Sequence, residues 1–258
     1  MSDFSLTLVL QIKTSKIIND MAKVQQKSEK ISAFGGIFFV LDRFDRILSS
    51  VIDSHLGLRS KLIGYQYSEI IRAVFSVFCC GGDCMEDLNL YLKDVLTERP
   101  HTRVPSADTV LRGIEELATE NISYTVEKTG NVYDFNTAEK LNQLLIKLLL
   151  ATGQLTEGGE YDVDFDRQNN DFGWAHLPKS YMNQNTVFLL ITAMAANFYR
   201  YIVALPLMAV LFGIKATERV KSFLFRFIAV PAKWVRTARQ YRLNIYSNKP
   251  YKLIWEHG

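Results

Sequence analysis

Three observations predict a mainly α-helical fold for this chain. Apolar residues recur at intervals of three and four from Ile37 to Val51. Residues suited to helix N-termini, Ser68 and Ser106, stand before further apolar-periodic runs. A leucine series at 141, 144, 145, 148 and 149 repeats the same spacing. A length of 258 residues with 48% hydrophobic content is enough to bury a sizeable core.

The first helix is predicted after Phe34-Gly-Gly-Ile-Phe38, where Ile37, Val40, Leu41, Phe44, Ile47, Leu48 and Val51 form one apolar stripe. Ser68 is the expected N-cap of a second helix through Ile70, Ile71, Val74, Phe75 and Phe78, with Gly81-Gly82 supplying the backbone freedom to stop it. Asp83 is placed to cap a third, carrying Met85, Leu88, Leu92 and Val95. After Pro105, Ser106 caps a fourth, in which Val110, Leu111, Ile114 and Leu117 face inward and Thr109, Arg112 and Gly113 lie towards the other face. This helix, glycine turn, helix, capped-helix series resembles a helix-turn-helix domain, which would present Ser106, Thr109 and Arg112 to DNA.

A further helix from Thr137 ends at the Thr152-Gly-Gln-Leu-Thr-Glu-Gly-Gly159 break. The strand pattern Tyr161-Asp-Val-Asp-Phe-Asp166 follows, with Asp162, Asp164 and Asp166 on one face. Carboxylates at a strand end suit a hard divalent cation such as Mg²⁺, and a solvated, charged strand end has the same pattern.

From 185 to 214 Arg200 is the only charge, so hydropathy admits a membrane segment. Asn183, Gln184, Asn185, Asn197, Arg200 and Pro206 favour instead a buried helix from about Asn185 to Tyr201 and a second apolar stretch beyond it. Cys79, Cys80 and Cys84 are odd in number and apolar in setting, which points to a reducing compartment and buried helix positions rather than a disulfide framework or zinc site.

The formal net charge of +3 is small, but its distribution is uneven. Residues 215–258 hold ten Lys or Arg against only Glu218 and Glu256. There Arg226, Lys233, Arg236, Arg239 and Arg242 alternate with Phe225, Phe227, Trp234, Tyr241 and Tyr246, a mixture suited to phosphate contacts with aromatic packing, or to a solvated cationic helix face.

Several blocks carry a family resemblance: 21–30, Phe34-Gly-Gly36, Gly64-Tyr-Gln-Tyr-Ser-Glu-Ile70, Cys80-Gly-Gly-Asp-Cys-Met-Glu-Asp87 and Ser106-Ala-Asp-Thr-Val-Leu-Arg112. They resemble the amino-terminal region of bacterial insertion-sequence transposases of the DDE type, in the IS thirteen-eighty group of the IS-four superfamily. The strand 161–166 is similar to the one bearing that family's first catalytic aspartate. Asn169-Asn-Asp-Phe-Gly-Trp174 resembles the segment after its catalytic glutamate, and 197–201 with 225–239 resemble its carboxy-terminal end.

The resemblance implies a helical DNA-binding domain over 21–130, a remnant of an RNase H-like α/β core over 131–178, and carboxy-terminal helices with a basic tail over 179–258. Residues 1–20 form an extension outside the family pattern. It also implies transposon terminal inverted repeats as DNA partner, a second copy or an intact transposase as further partner, and a cytoplasmic location. Asp164 matches the first catalytic aspartate, with Asp162 and Asp166 beside it as metal ligands of an incomplete site.

No position matches the second aspartate or the glutamate, and Asp166-Arg-Gln168 stands where the family's Tyr, Arg and Glu signature belongs. The expected protein is therefore an internally deleted transposase that binds DNA, while Mg²⁺-dependent cleavage and strand transfer belong to the intact family. On this view the apolar region 185–214 loses part of the sheet it would cover. The alternatives are a non-catalytic DNA-binding regulator and a small membrane protein anchored through 185–214.

Overall fold

The computed structural model describes residues 28–59, 63–160 and 177–257, and those from Ile31 onward belong to one compact unit. The acidic run 161–166, the segment 169–174 and the extension 1–20 lie outside the described residues. The fold is mainly α, with two small two-stranded antiparallel sheets.

The predicted first stripe forms α1 (Ile37–Phe44), a π-helical turn (Asp45–Ser49) and α2 (Ser50–Leu56). Next comes α3 (Tyr67–Cys79), whose cap differs from the expected one. Gln66 and Glu69 make a reciprocal capping box, and Ser68 lies inside the helix, where its hydroxyl donates to Asp53 Oδ2 at 2.7 Å. Gly81 ends this region with a φ of +83°, as the glycine pair predicts.

The following helix, made of a π-helical turn (Leu88–Leu92) and α4 (Lys93–Thr97), is not capped by Asp83 as expected; Asp87 instead reaches back to the turn before it. Its Oδ2 accepts from the Asp83 and Cys84 N–H groups at 2.8 and 3.3 Å. Ser106 caps α5 (Ala107–Glu116) as expected, accepting the Thr109 N–H at 3.3 Å. Gly113, expected on the outer face, is buried, and a Cβ there would stand 3.1 Å from Ile70, so α5 crosses α3 at this point.

Two strands, β1 (Ile122–Thr125) and β2 (Val132–Phe135), form an exposed hairpin before α6 (Glu139–Ala151). The apolar stretch becomes α7 (Met182–Ala204) and α8 (Pro206–Phe212), divided by Pro206 at the first position of the second helix. Then follow α9 (Val220–Phe223) with a π-helical turn (Leu224–Ile228), β3 (Ala232–Thr237), β4 (Gln240–Ile245) and α10 (Tyr251–His257).

Residues from all three predicted segments, 21–130, 131–178 and 179–258, meet in one core. α7 packs on α3, α5 and α6, so this part of 185–214 is covered by the helices present, while Val210 in α8 is exposed. Phe198 of α7 sits edge-on to Phe44 and Phe75, with ring centroids 5.6 and 5.1 Å away. The polar groups at its start are used locally: Asn185 Nδ2 donates to the Lys179 carbonyl, and Asn183 Nδ2 to that of Thr119. Arg200 is exposed. α7 is long and apolar enough to cross a membrane, but two thirds of its apolar window is buried inside the protein.

The two ends of the compact unit are joined by backbone. Gly35 N–H donates to the Val230 carbonyl at 2.7 Å, Gly36 N–H to that of Ile228 at 3.1 Å, and Ser32 pairs with Ala232 in both directions. A Cβ on Gly36 would lie 2.0 Å from the Phe227 carbonyl oxygen, so only glycine permits this approach.

Candidate nucleic-acid interface

Within the basic tail, between α9 with its π-helical turn and α10, residues 232–245 form a β-hairpin that the sequence reading did not include. Cα partners run Ala232 to Ile245, Trp234 to Leu243 and Arg236 to Tyr241, so these six share one face of the ribbon. Near the body of the protein that face is anchored by Trp234, whose ring meets Phe38 edge-on at 5.5 Å. Lys233, Val235, Arg242 and Asn244 share the opposite face.

At the tip, Ala238 and Arg239 both have positive φ, +48° and +68°, forming the two-residue turn between Thr237 and Gln240. Arg236 lies 5.4 Å over the Tyr241 ring. Arg236, Arg239, Tyr241 and Arg242 are exposed, and none of the three arginines has a carboxylate partner among the described residues. The tip thus carries concentrated positive charge on a two-stranded ribbon, and such charge binds phosphates.

His101, which sequence reasoning passed over, belongs to this surface. It is exposed with a φ of +60°, and its ring stands 5.9 Å from that of Tyr241. A lone histidine in a polar loop gives no pattern by which to find it. The same loop holds Arg103, which lies 4.6 Å over the Tyr65 ring and 3.6 Å from Glu69.

Arg226 is placed apart from the hairpin arginines. Its Nη1 donates to the Gly213 carbonyl at 2.9 Å and lies 3.8 Å from Glu218, so it closes the end of α8. Hydrogen bonding from Ser222, outweighing the effect of burial, helps hold the Glu218 carboxyl below its ordinary range. Lys233 is half-buried.

On α5, Arg112 is exposed and Thr109 half-buried, with its hydroxyl 2.9 Å from that of Ser106. The same exposed side carries Asp108, and the helix end holds Glu115 and Glu116. Glu115 pairs with Lys179 at 2.5 Å, and Glu116 takes a two-point contact from Arg59 at 2.7 and 2.8 Å. The face is nearly neutral, in contrast to the hairpin tip.

An ion-pair network ties the loop before α5 to the first helix. Arg99 donates to Asp42 Oδ1 through Nε and Nη2, at 3.0 and 2.7 Å, and through Nη1 to Asp45 Oδ2 at 2.7 Å. Arg72 donates to Asp45 Oδ1 at 2.8 Å. Burial raises the Asp45 carboxyl pKa, and the Arg72 and Arg99 guanidiniums outweigh that effect, holding it below the ordinary value.

Asp162, Asp164 and Asp166 lie outside the described residues, and among the described ones no group of three or more His, Cys, Asp or Glu could hold a metal ion. Cys79 and Cys80 are buried in the core, and burial raises both thiols, so they behave as packing residues, while Cys84 is exposed. Comparison of the chain with protein-family models, curated proteins and solved structures returns no match.

Proposed function

We propose that this chain is a DNA-binding protein descended from an insertion-sequence transposase of the DDE type, without strand-transfer activity of its own. The observation that carries the DNA reading is the β3–β4 tip, where Arg236, Arg239 and Arg242 are exposed beside Tyr241 and His101 without carboxylate partners among the described residues. Such a ribbon contacts backbone phosphates and fits a groove of duplex DNA. The ancestry rests on the sequence resemblance given above, and with it come terminal inverted repeats as target, a second copy or an intact transposase as partner, and a cytoplasmic location.

Ser106, Thr109 and Arg112 supply a secondary contact in this proposal. α5 is short and properly capped, and Arg112 is its exposed guanidinium. The absence of the family's second aspartate and glutamate leaves Asp164 without the ligands that a two-metal reaction needs.

The test is fluorescence anisotropy with labelled duplexes, one bearing a terminal inverted repeat of an insertion sequence of the resembled group and one scrambled, over a salt series. Binding should weaken as salt rises, and Arg236→Gln with Arg242→Gln should lower the salt slope by about 1 per arginine. A slope unchanged in the double variant overturns the hairpin assignment. Preference for a sequence other than the repeat favours a regulator without a transposition role, and Mg²⁺-dependent cleavage abolished by Asp164→Ala sinks the inactive reading.

A further inference from the structure

We infer that the cleft between α1, the end of the α4 helix and α10 is a binding site for a phosphate ester. It has a volume of about 240 Å³ and is lined by Phe39, Asp42, Arg43, Arg46, Arg99 and Trp255. One carboxylate therefore faces three guanidiniums. That carboxylate is already engaged: Asp42 Oδ1 accepts two bonds from Arg99, and Oδ2 accepts the Trp255 indole N–H at 3.0 Å. Arg99 is engaged as well, by Asp42, Asp45 and the Thr102 hydroxyl, and its side chain is only 13% exposed.

Arg43 and Arg46 remain. Arg43 lies 5.5 Å over the Phe39 ring, Arg46 is exposed, and among the described residues neither has a carboxylate partner. Placed three positions apart at the junction of α1 and its π-helical turn, they line the same cleft. π-helical turns are frequent at functional sites, because the extra residue re-aims the side chains around it. Two guanidiniums offer planar, multiple N–H donors suited to phosphate oxygens.

The remaining walls select an ester over a free inorganic anion. Phe39 is buried beneath Arg43, and the half-buried Trp255, edge-on to it at 5.2 Å, gives the cleft an apolar side against which a base or sugar can lie. No hairpin residue lines the cleft, so the inference stands apart from the DNA reading. The shared chemistry has two sources, a soluble nucleotide or a backbone phosphate of a bound nucleic acid. The second is within reach in the chain, since Arg99 and His101 belong to one loop and His101 meets the hairpin tip.

The experiment uses the full chain and follows intrinsic tryptophan fluorescence, to which Trp174, Trp234 and Trp255 contribute, and titration heat with deoxyadenosine monophosphate, with deoxyadenosine, and with a short duplex. The monophosphate or the duplex should bind the wild type roughly tenfold or more tightly than the Arg43→Gln, Arg46→Gln double variant, and deoxyadenosine should show no such difference. Arg46→Gln alone, at an exposed position, gives a smaller loss in a protein whose fold is least disturbed, and Arg200→Gln on α7 serves as the control outside the cleft. A loss confined to the monophosphate identifies a soluble ester, and a loss confined to the duplex identifies a backbone phosphate. If both variants with native melting curves bind both ligands as the wild type does, or if neither ligand binds the wild type, the inference is overturned. Failure of the hairpin variants alone leaves these outcomes intact, so the two readings fail separately.

Discussion

The indole N–H of Trp255 donates to Asp42 Oδ2 at 3.0 Å, linking two residues 213 positions apart. The bond occupies the carboxylate oxygen that Arg99 leaves free and seats the ring edge-on to Phe39. α10 is thereby fixed to α1, helped by Tyr251, whose hydroxyl donates to the Phe227 carbonyl at 2.7 Å and whose pKa burial pushes up to about 12.

Trp255→Phe keeps most of the apolar contact and removes this donor. The expected loss is about 1–2 kcal/mol, read as a lower urea midpoint with unchanged slope. A midpoint equal to the wild type would show that α10 is held by packing alone.

Acid sensitivity should come in part from Asp45. Its folded-state pKa is below the ordinary 3.8, so its stabilising contribution is fully present above that value and is lost as pH falls through the lower one. Asp45→Asn should therefore cost about 1–2 kcal/mol at pH 7, a figure discounted for a carboxylate side chain 28% exposed, and should flatten stability against pH below about 4. Urea melts from pH 7 to the acid limit check both parts.

Phe198→Ala should destabilise by about 3–4 kcal/mol, because it empties the space among Phe44, Phe75 and Tyr201. The wild-type protein should remain in the supernatant after carbonate extraction of cells. Retention in the membrane pellet would revive the anchored reading of 185–214.

The hairpin turn gives a prediction with two opposite arms. Ala238 has a φ of +48°, where asparagine is tolerated better than alanine and a β-branched residue is strained. Ala238→Asn should raise stability by about 0.5 kcal/mol and Ala238→Val should lower it by about 1 kcal/mol or more, measured by thermal melting.

The helices were legible because their apolar stripes are long and coincide with the buried faces, as at Ile37, Val40, Leu41 and Phe44. Caps were read less well. Ser68 looked like an N-cap, but Gln66 and Glu69 form the box and Asp53 takes the serine. The β3–β4 hairpin was hidden because its turn, Ala238-Arg239, lacks the glycine or asparagine that normally marks positive φ. Its arginines stand out in the sequence together with Arg226, which folds apart from them, and the pairing of Arg236 with Tyr241 depends on strand register, which composition does not contain.

The cleft was out of reach for a related reason. Arg43 and Arg46 sit on the polar side of a helix read for its apolar stripe, and only tertiary folding brings Arg99 and Trp255 beside them. β1 and β2, with Tyr124 opposite Tyr133, lie between two predicted helices in a stretch to which the sequence reading assigns no element.

The close approach of Gly35 and Gly36 to residues 227–232 has a consequence for biosynthesis. The segment leading into α1 can form its native backbone pairing only after those late residues have emerged from the ribosome, so until then the aromatic side of α1 has no final covering. A message cut before codon 227 would yield a nascent protein with Phe38 and Phe39 uncovered, a substrate for chaperones and proteases rather than a smaller working protein. Quality control would thus discriminate between full-length and prematurely terminated products through two phenylalanine rings that only the last thirty or so residues cover.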